Sequence, residues 1–532
     1  DVANAGDYNM IETFGNRIFV NYAKPGASAS LSADDVYMFD GTNWGTPSIN
    51  LPQGTVDFYS YRAANGILAV SAGYAVWKFD SNFNMVDYID GSDYAAPSVR
   101  DAVADDTGTI WIADNNQGLV RYQSGSALEF IYPDGPESDL ISAMSVESGK
   151  LWVTHATRSA SWMNTYTGCN FSSYADASWT TYNPQTRPGT IIQTGNFFDD
   201  MSLAVDPSNA DHVFIGSKGN GLLEMNQGVP VRSYRDTNST LQVGIGNPTQ
   251  CQVVGMDYDT DHNLWVLNSL AAEPVNVLTN QGNWKSYSIP GIPGAPLFGD
   301  LTVDSYGQKW INVLGNNAPL GTGLVVFNDN GTLDNTSDDK SRFYSTGPGK
   351  GNLPSTDIRA ITEDQDGEIW LGTGKGVAVI YSPSNATSSS DFDAQQVLIQ
   401  QDGIYQYLLE SEVVTAIAID GANRKWIGTE SGGVFLMSAD GTQQIRNFNE
   451  LNSPLPSNYI IAIAIDQQTG EVYFGTNKGI ISYMGDAISG KGPCKDVTVY
   501  PNPVRENYDG PIAIKGRSEE HTSELQSHSF IS

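Results

Sequence analysis

Several short stretches carry residue types that do chemistry elsewhere, and each can be weighed against its spacing. Gly372-Thr373-Gly374-Lys375-Gly376 has the glycines and the lysine of a phosphate-cradling loop. It lacks the leading glycine at the right spacing and the Ser/Thr after the lysine, and no helical pattern follows, so it reads as a turn between strands. The acidic run from Asp329 to Asp339 gathers the oxygen donors that calcium favours, with Asp329, Asp334 and Asp338 as candidate ligands. Its spacing departs from an EF-hand, and a solvated hairpin tip suits the same residues. The stretch Arg158–Tyr182 concentrates Trp162, Tyr166, Phe171, Tyr174, Trp179 and Tyr182. Trp179 and Tyr182 suit a strand and the rest an irregular loop. Trp162, Tyr166 and Tyr174 are therefore candidates for contact with a glycan or a protein partner, and packing over the fold is the alternative.

Covalent chemistry finds little support. There is no nucleophile elbow and no histidine pair at metal-ligand spacing, and paired carboxylates cannot be singled out by spacing in so acidic a chain. Asp105-Asp106-Thr107-Gly108-Thr109-Ile110-Trp111 resembles the Asp box of sialidases, whose aspartate is structural, and arginine is too sparse for the cluster a sialidase needs. Cys169, Cys251 and Cys494 show no CxxC spacing, so zinc is not indicated. In an oxidising compartment Cys169 and Cys251 are the most plausible pair for one disulfide; otherwise they are free thiols.

Net charge narrows the partners. Lys and Arg number 28 against 60 Asp and Glu, a net charge of −32. Such a surface offers nucleic acid no basic footprint, and it docks on anionic lipid only where cations bridge the two. No apolar run reaches the 18 or so residues of a spanning helix. The chain opens on Asp1-Val2-Ala3-Asn4 without an initiator Met or a signal-peptide pattern, and is read as a mature form or a fragment.

The elements that must position all these residues are strands. One hairpin strand recurs, centred on Phe19, Leu68, Trp111, Trp152, Phe214, Trp265, Trp310, Trp370, Trp426 and Tyr473, at intervals of 41 to 62 residues. An apolar run ending in Asp precedes it, as in Ile417-Ala418-Ile419-Asp420. A Gly-Leu/Val strand follows, and a fourth strand often carries an aromatic pair such as Trp284 and Tyr287. A period of roughly 40–50 with Gly and Trp punctuation predicts β-propeller blades, each a four-stranded sheet. The Trp of each unit is then blade packing rather than a sugar platform.

Ten units exceed one ring, and an unclosed ring leaves bare strand edges. The expected fold is all-β: tandem seven-bladed β-propellers, the first incomplete, followed by the start of a β-sandwich domain. Residues 1–129 would be the last three blades of the first ring, 130–490 the second ring, and 491–516 a linker and the start of the sandwich. A nested closure, with the last units completing the first ring, is the alternative. The tail 517–532 (RSEEHTSELQSHSFIS) resembles a translated sequencing adapter and is excluded as a non-native tail.

The pattern D-x-x-G-x-I/V-W-I/L-G-T-x-x-G-V/I, clearest at 364–377, 420–434 and 466–480, resembles the two-component regulator propeller repeat. Val499-Tyr500-Pro501-Asn502-Pro503-Val504 resembles the opening of C-terminal domains of the type IX secretion system. Together these are similar to the PorZ-like family of cell-surface components of that system. The resemblance implies a non-enzymatic role in an attachment complex with a sortase-like partner, recognition of anionic lipopolysaccharide, and a place at the outer membrane. The alternative is a periplasmic sensor ectodomain of a polysaccharide-sensing hybrid two-component system.

Overall fold

The structure, a computed structural model, describes residues 7–23, 36–46, 58–126, 128–131, 135–157, 164–292, 294–314, 322–390, 392–401, 403–489, 498–500 and 513–515. Nearly all regular structure in them is antiparallel strand; the longest helix spans Ile191–Thr194. The chain forms two compact units, Asp1–Gly135 and Pro136–Ser532. The boundary expected at 129/130 falls inside the strand Glu129–Ile131, which pairs with the first unit's own strand Gly118–Tyr122.

The first unit holds three four-stranded sheets, each a meander. Its core is two clusters, one around Phe19, Tyr61, Trp77 and Phe79 and one around Val99, Ile110, Ile112 and Tyr122.

The second unit holds seven blades, numbered here 1 to 7, with strands a to d from the first outwards. Their a strands are Ala143–Glu147, Asp200–Asp206, Gln252–Tyr258, Phe298–Val303, Ile358–Glu363, Val414–Ile419 and Ile460–Ile465. Blades 5 and 7 have three strands in their sheets, and blade 5 adds the hairpin Leu398–Gln401/Ile404–Tyr407. Blade 7 packs on blade 1: Ala464 and Tyr473 share a core with Ile141, Leu151 and Val153, and Gln468 Nε2 donates to Ser148 Oγ at 3.0 Å. The ring therefore closes on itself, and the nested alternative does not arise. Beyond it, Thr498–Tyr500 and Ala513–Lys515 pair antiparallel. The tail 517–532 lies outside the described residues.

The repeat motif now has physical causes. Its Asp closes the turn between strands a and b, and its Trp reports back to that Asp. Asp259 accepts the backbone N–H of Asp261 and Asn263 on one oxygen and the Trp265 indole N–H on the other, at 2.8 Å. The same bond joins Trp111 to Asp105, Trp310 to Asp304, Trp370 to Asp364 and Trp426 to Asp420, at 2.8 to 3.1 Å. Each lock satisfies an indole donor that burial would otherwise strand, worth roughly 1–3 kcal/mol. Trp152, Trp265, Trp310, Trp370 and Trp426 are fully buried, so they pack blades and offer no platform.

The Gly of the W-x-G-T motif makes room for the next blade. A Cβ at Gly372 would stand 2.7 Å from Val414 of blade 6, and one at Gly428 2.5 Å from Ile460 of blade 7. One at Gly475 would stand 3.1 Å from Met144 of blade 1, across the closure. The apparent phosphate loop is a turn as expected. Thr373 Oγ1 donates to Gly376 O at 2.9 Å and accepts the Lys375 N–H at 3.0 Å, so these groups face inward.

Candidate functional site

In a meander, the b–c loops and d–a connections share one face of the ring, and the a–b and c–d turns share the other. The turn face is stitched from blade to blade. Val303 N–H donates to Asp257 at 2.9 Å, and Ser305 N and Oγ donate to Glu363 at 2.8 and 2.6 Å. Gln365 N–H meets Asn423 Oδ1 at 3.0 Å, and Gln467 Nε2 meets Ile419 O at 2.8 Å. Lys425 and Asp364 form an ion pair at 2.8 Å with both side chains wholly buried, the ammonium also lying over the Trp370 ring. Burial, with a smaller push from the Asp300 and Glu363 carboxylates, raises the Asp257 carboxyl to about 7.

The candidate calcium ligands lie at the c–d turn of blade 4, on this face. Asp329 is buried and its carboxylate takes the Lys309 ammonium at 2.5 Å. Asp334 is exposed and pairs with Lys285. Asp338 accepts from Thr332 Oγ1 at 3.0 Å. Among the described residues no three His, Cys, Asp or Glu side chains gather as a metal-ligand set.

The loop face carries the long, irregular connections. The b–c loop of blade 1 runs from His155 to Asn170 between the strands Lys150–Thr154 and Phe171–Ala175. Trp162 lies outside the described residues. Tyr166 is 66% exposed, holds φ 58°, and lays its ring 5.1 Å from that of Phe198. A bulky side chain in the left-handed region is costly and needs neighbours that impose it. Asp199 does so: its carboxylate accepts Thr165 N, Thr165 Oγ1, Tyr166 N and Thr167 N at 2.9, 2.7, 3.1 and 2.8 Å. Tyr174 is not in this loop. It stands in strand c, its ring against Trp179 at 5.0 Å, near the turn Asp176-Ala177 on the opposite face, so the structure separates it from Tyr166.

Below the loop, Cys169 and Cys251 are buried free thiols, so no disulfide joins them. The Cys169 thiol, the Asn170 amide and Ser217 Oγ face the Asp200 carboxylate, yet neither of its oxygens has a hydrogen-bond partner; burial pushes its carboxyl up to about 6. His155 is buried and its basicity lowered by that burial. Nδ1 lies 2.6 Å from Leu140 O, which can only accept, so Nδ1 carries the proton and Nε2 accepts from Ser172 Oγ at 2.9 Å. This neutral imidazole is a structural pin.

A second exposed feature of the loop face escaped the sequence reading. The hairpin after blade 5 leaves Leu398, Ile404, Tyr405 and Tyr407 exposed, Ile404 and Tyr405 at 67% each. Leu398, Tyr405 and Tyr407 share the open face of the hairpin, and Ile399 on the other face packs against the core around Val397, Leu408 and Val414. The Asp402-Gly403 pair between alternating residues was the available signal. Asp199 and Phe198 gave no sequence signal, because their partners lie some thirty residues away.

Residues 352–375 match the family model described as two component regulator propeller. No curated protein matches the chain. Among solved structures the chain is similar to PorZ, described as an essential bacterial surface component of the type-IX secretion system of Porphyromonas gingivalis. The two are 24% identical with a TM-score of 0.70, over 96% of this chain and 67% of that one. A virginiamycin B lyase from Staphylococcus aureus is 13% identical with a TM-score of 0.42, over 65% and 95%. The extracellular domain of a hybrid two component system from B. thetaiotaomicron is 14% identical with a TM-score of 0.24, over 99% and 71%. The last two likenesses are too low to bear on function. The chain is PorZ-like in its fold, and one of its repeats, at 352–375, matches the two-component regulator propeller model.

Proposed function

We propose that this protein is a non-enzymatic scaffold and recognition component of a type IX secretion attachment complex at the cell surface. The observation that carries the reading is the fold likeness to PorZ over 96% of the chain. The loop face of the second ring, with Tyr166 and the hairpin Leu398–Tyr407, is the surface for a sortase-like partner and for glycan. Amphipathic rings on irregular loops suit both. Anionic lipopolysaccharide would meet a chain of net charge −32, so its sugars, held by rings and hydrogen bonds, or bridging cations must supply the contact. The test is affinity capture of the intact gene product from outer membranes, with lipopolysaccharide binding measured in parallel. Co-purification of attachment-complex proteins supports the reading; capture of neither partner proteins nor lipopolysaccharide overturns it.

A second reading, a sensor ectodomain for oligosaccharides, is favoured by the repeat family matched at 352–375. A membrane helix and kinase encoded at the 3′ end of the full gene would decide for it.

A further inference from the structure

Blade 2 departs from the lock that blades 3 to 6 share. In blade 3, Trp265 pairs across the sheet with Asp257, two residues before the turn aspartate Asp259. In blade 2 the equivalent of Trp265 is Phe214, opposite Ala204, two residues before Asp206. The a–b hairpin of blade 2 is longer by two residues: Asp206 precedes Phe214 by eight, Asp259 precedes Trp265 by six. Phenylalanine has no N–H to give.

His212 gives one instead. Its Nδ1 stands 3.0 Å from Asp206 Oδ2, while Asp206 Oδ1 accepts the Ser208 N–H at 2.9 Å as the aspartates of the other locks accept their turns. Its Nε2 stands 3.1 Å from Glu224 Oε1, and Tyr234 O–H donates to the other Glu224 oxygen at 2.8 Å. The ring meets Phe214 edge-on at 4.9 Å. One polar chain thus crosses all four strands of the blade, through Asp206, His212, Glu224 and Tyr234.

An imidazole can donate to two carboxylates at once only when it carries both protons. The charged groups around it are the two acidic partners and Arg232 on strand d near Glu224; Tyr258 from blade 3, within the field of Asp206 and Glu224, is a phenol that burial keeps neutral. Acids dominate this set. We propose that His212 makes the blade 2 lock proton-operated: closed as imidazolium, loosened when the proton leaves.

The Glu224 bond, then the Asp206 bond, raises the basicity of His212 above the usual 6.5 against the opposing cost of burial. A raised folded value means stabilisation that is fully present below about 6.5, the unfolded value, and lost as pH rises through the folded one. The indole locks, such as Trp265 on Asp259, carry no titrating donor and do not share this dependence.

Exchange of the histidine C2 hydrogen, read by mass spectrometry on the full chain, gives each imidazole its own titration. We expect His212 to titrate above 6.5 and His155, which burial disfavours as a cation, below it. His212 at or below 6.5 overturns the proposal without any variant. Amide exchange, corrected for intrinsic rates, should then show protection over 200–234 falling between pH 6 and 8, by no more than about tenfold per pH unit, the limit for one proton. In His212→Gln that dependence should vanish while segment 358–380 of blade 5 is unchanged. An equal pH dependence in the variant overturns the proposal. The inference does not rest on the secretion reading, because neither measurement uses a partner.

Discussion

The two faces of the second ring are built on different rules. On the turn face, polar side chains are turned on one another: an aspartate caps its turn and holds its indole, and residues from successive blades reach across each seam. On the loop face, connections are long, bulky residues sit at positive φ (Tyr166, Leu270, Leu409), and apolar rings stand in solvent. The difference is one of redundancy. The recurring a–b turns and the contacts between successive blades let a ring close, while the other ends of the same strands are left free to vary.

The largest expected effect lies on the turn face. Lys425→Met leaves the buried Asp364 carboxylate without its cation and should cost about 3–5 kcal/mol, read by urea unfolding. A loss under about 1 kcal/mol would show that the turn face does not depend on its seams.

The reverse sign is expected under the loop face. Asp200 has a folded value of about 6 against 3.8, so its burden on stability is absent below about 3.8, grows as pH rises, and is complete above about 6. Asp200→Asn should therefore gain up to about 3 kcal/mol at pH 7.5 relative to pH 4, measured as the difference between variant and parent unfolding at the two values. An unchanged difference would mean that the carboxylate is satisfied in solution.

A smaller loss tests the seam itself. Gly428→Ala adds a methyl 2.5 Å from Ile460 and should cost about 1–3 kcal/mol, whereas Gly45→Ala, with nothing within 4 Å of the added methyl and no positive φ, should cost under about 0.5 kcal/mol. Equal losses would remove close blade approach as the reason for the motif glycine.

The smallest effect on stability should come from Tyr166→Ala, within about 0.5 kcal/mol because the ring is exposed, yet this variant should weaken capture of partner or glycan. Retained capture would move the binding surface away from this loop and sharpen attention on Tyr405 and its hairpin.

Much of this was legible beforehand because it is periodic. The recurring Asp, Trp and Gly at near-constant offsets announced hairpins, and hairpins at intervals of 41 to 62 residues announced blades. The Thr373–Gly376 turn and the buried tryptophans follow from the same local pattern. The candidate site was legible only in part. Aromatic crowding marked the blade 1 loop, but it also drew in Tyr174, which strand pairing carries to the other face. The acidic stretch was legible as a loop, while the capture of Asp329 by Lys309, twenty residues earlier, was not.

The sequence by itself determined the all-β class, the number of repeats, the acidic surface and the recurring Asp, Trp and Gly of the hairpins, since each of these is set by composition or by contacts within one hairpin. Only the tertiary structure decided that blade 7 closes on blade 1, that Asp199 organises the Tyr166 loop, that Asp200 lies buried without a partner, and that His212 stands where an indole would. Those facts depend on which side chains meet across a seam or an insertion. Such meetings are fixed by the closure of the ring and by the length of a turn, and neither leaves a period in the chain.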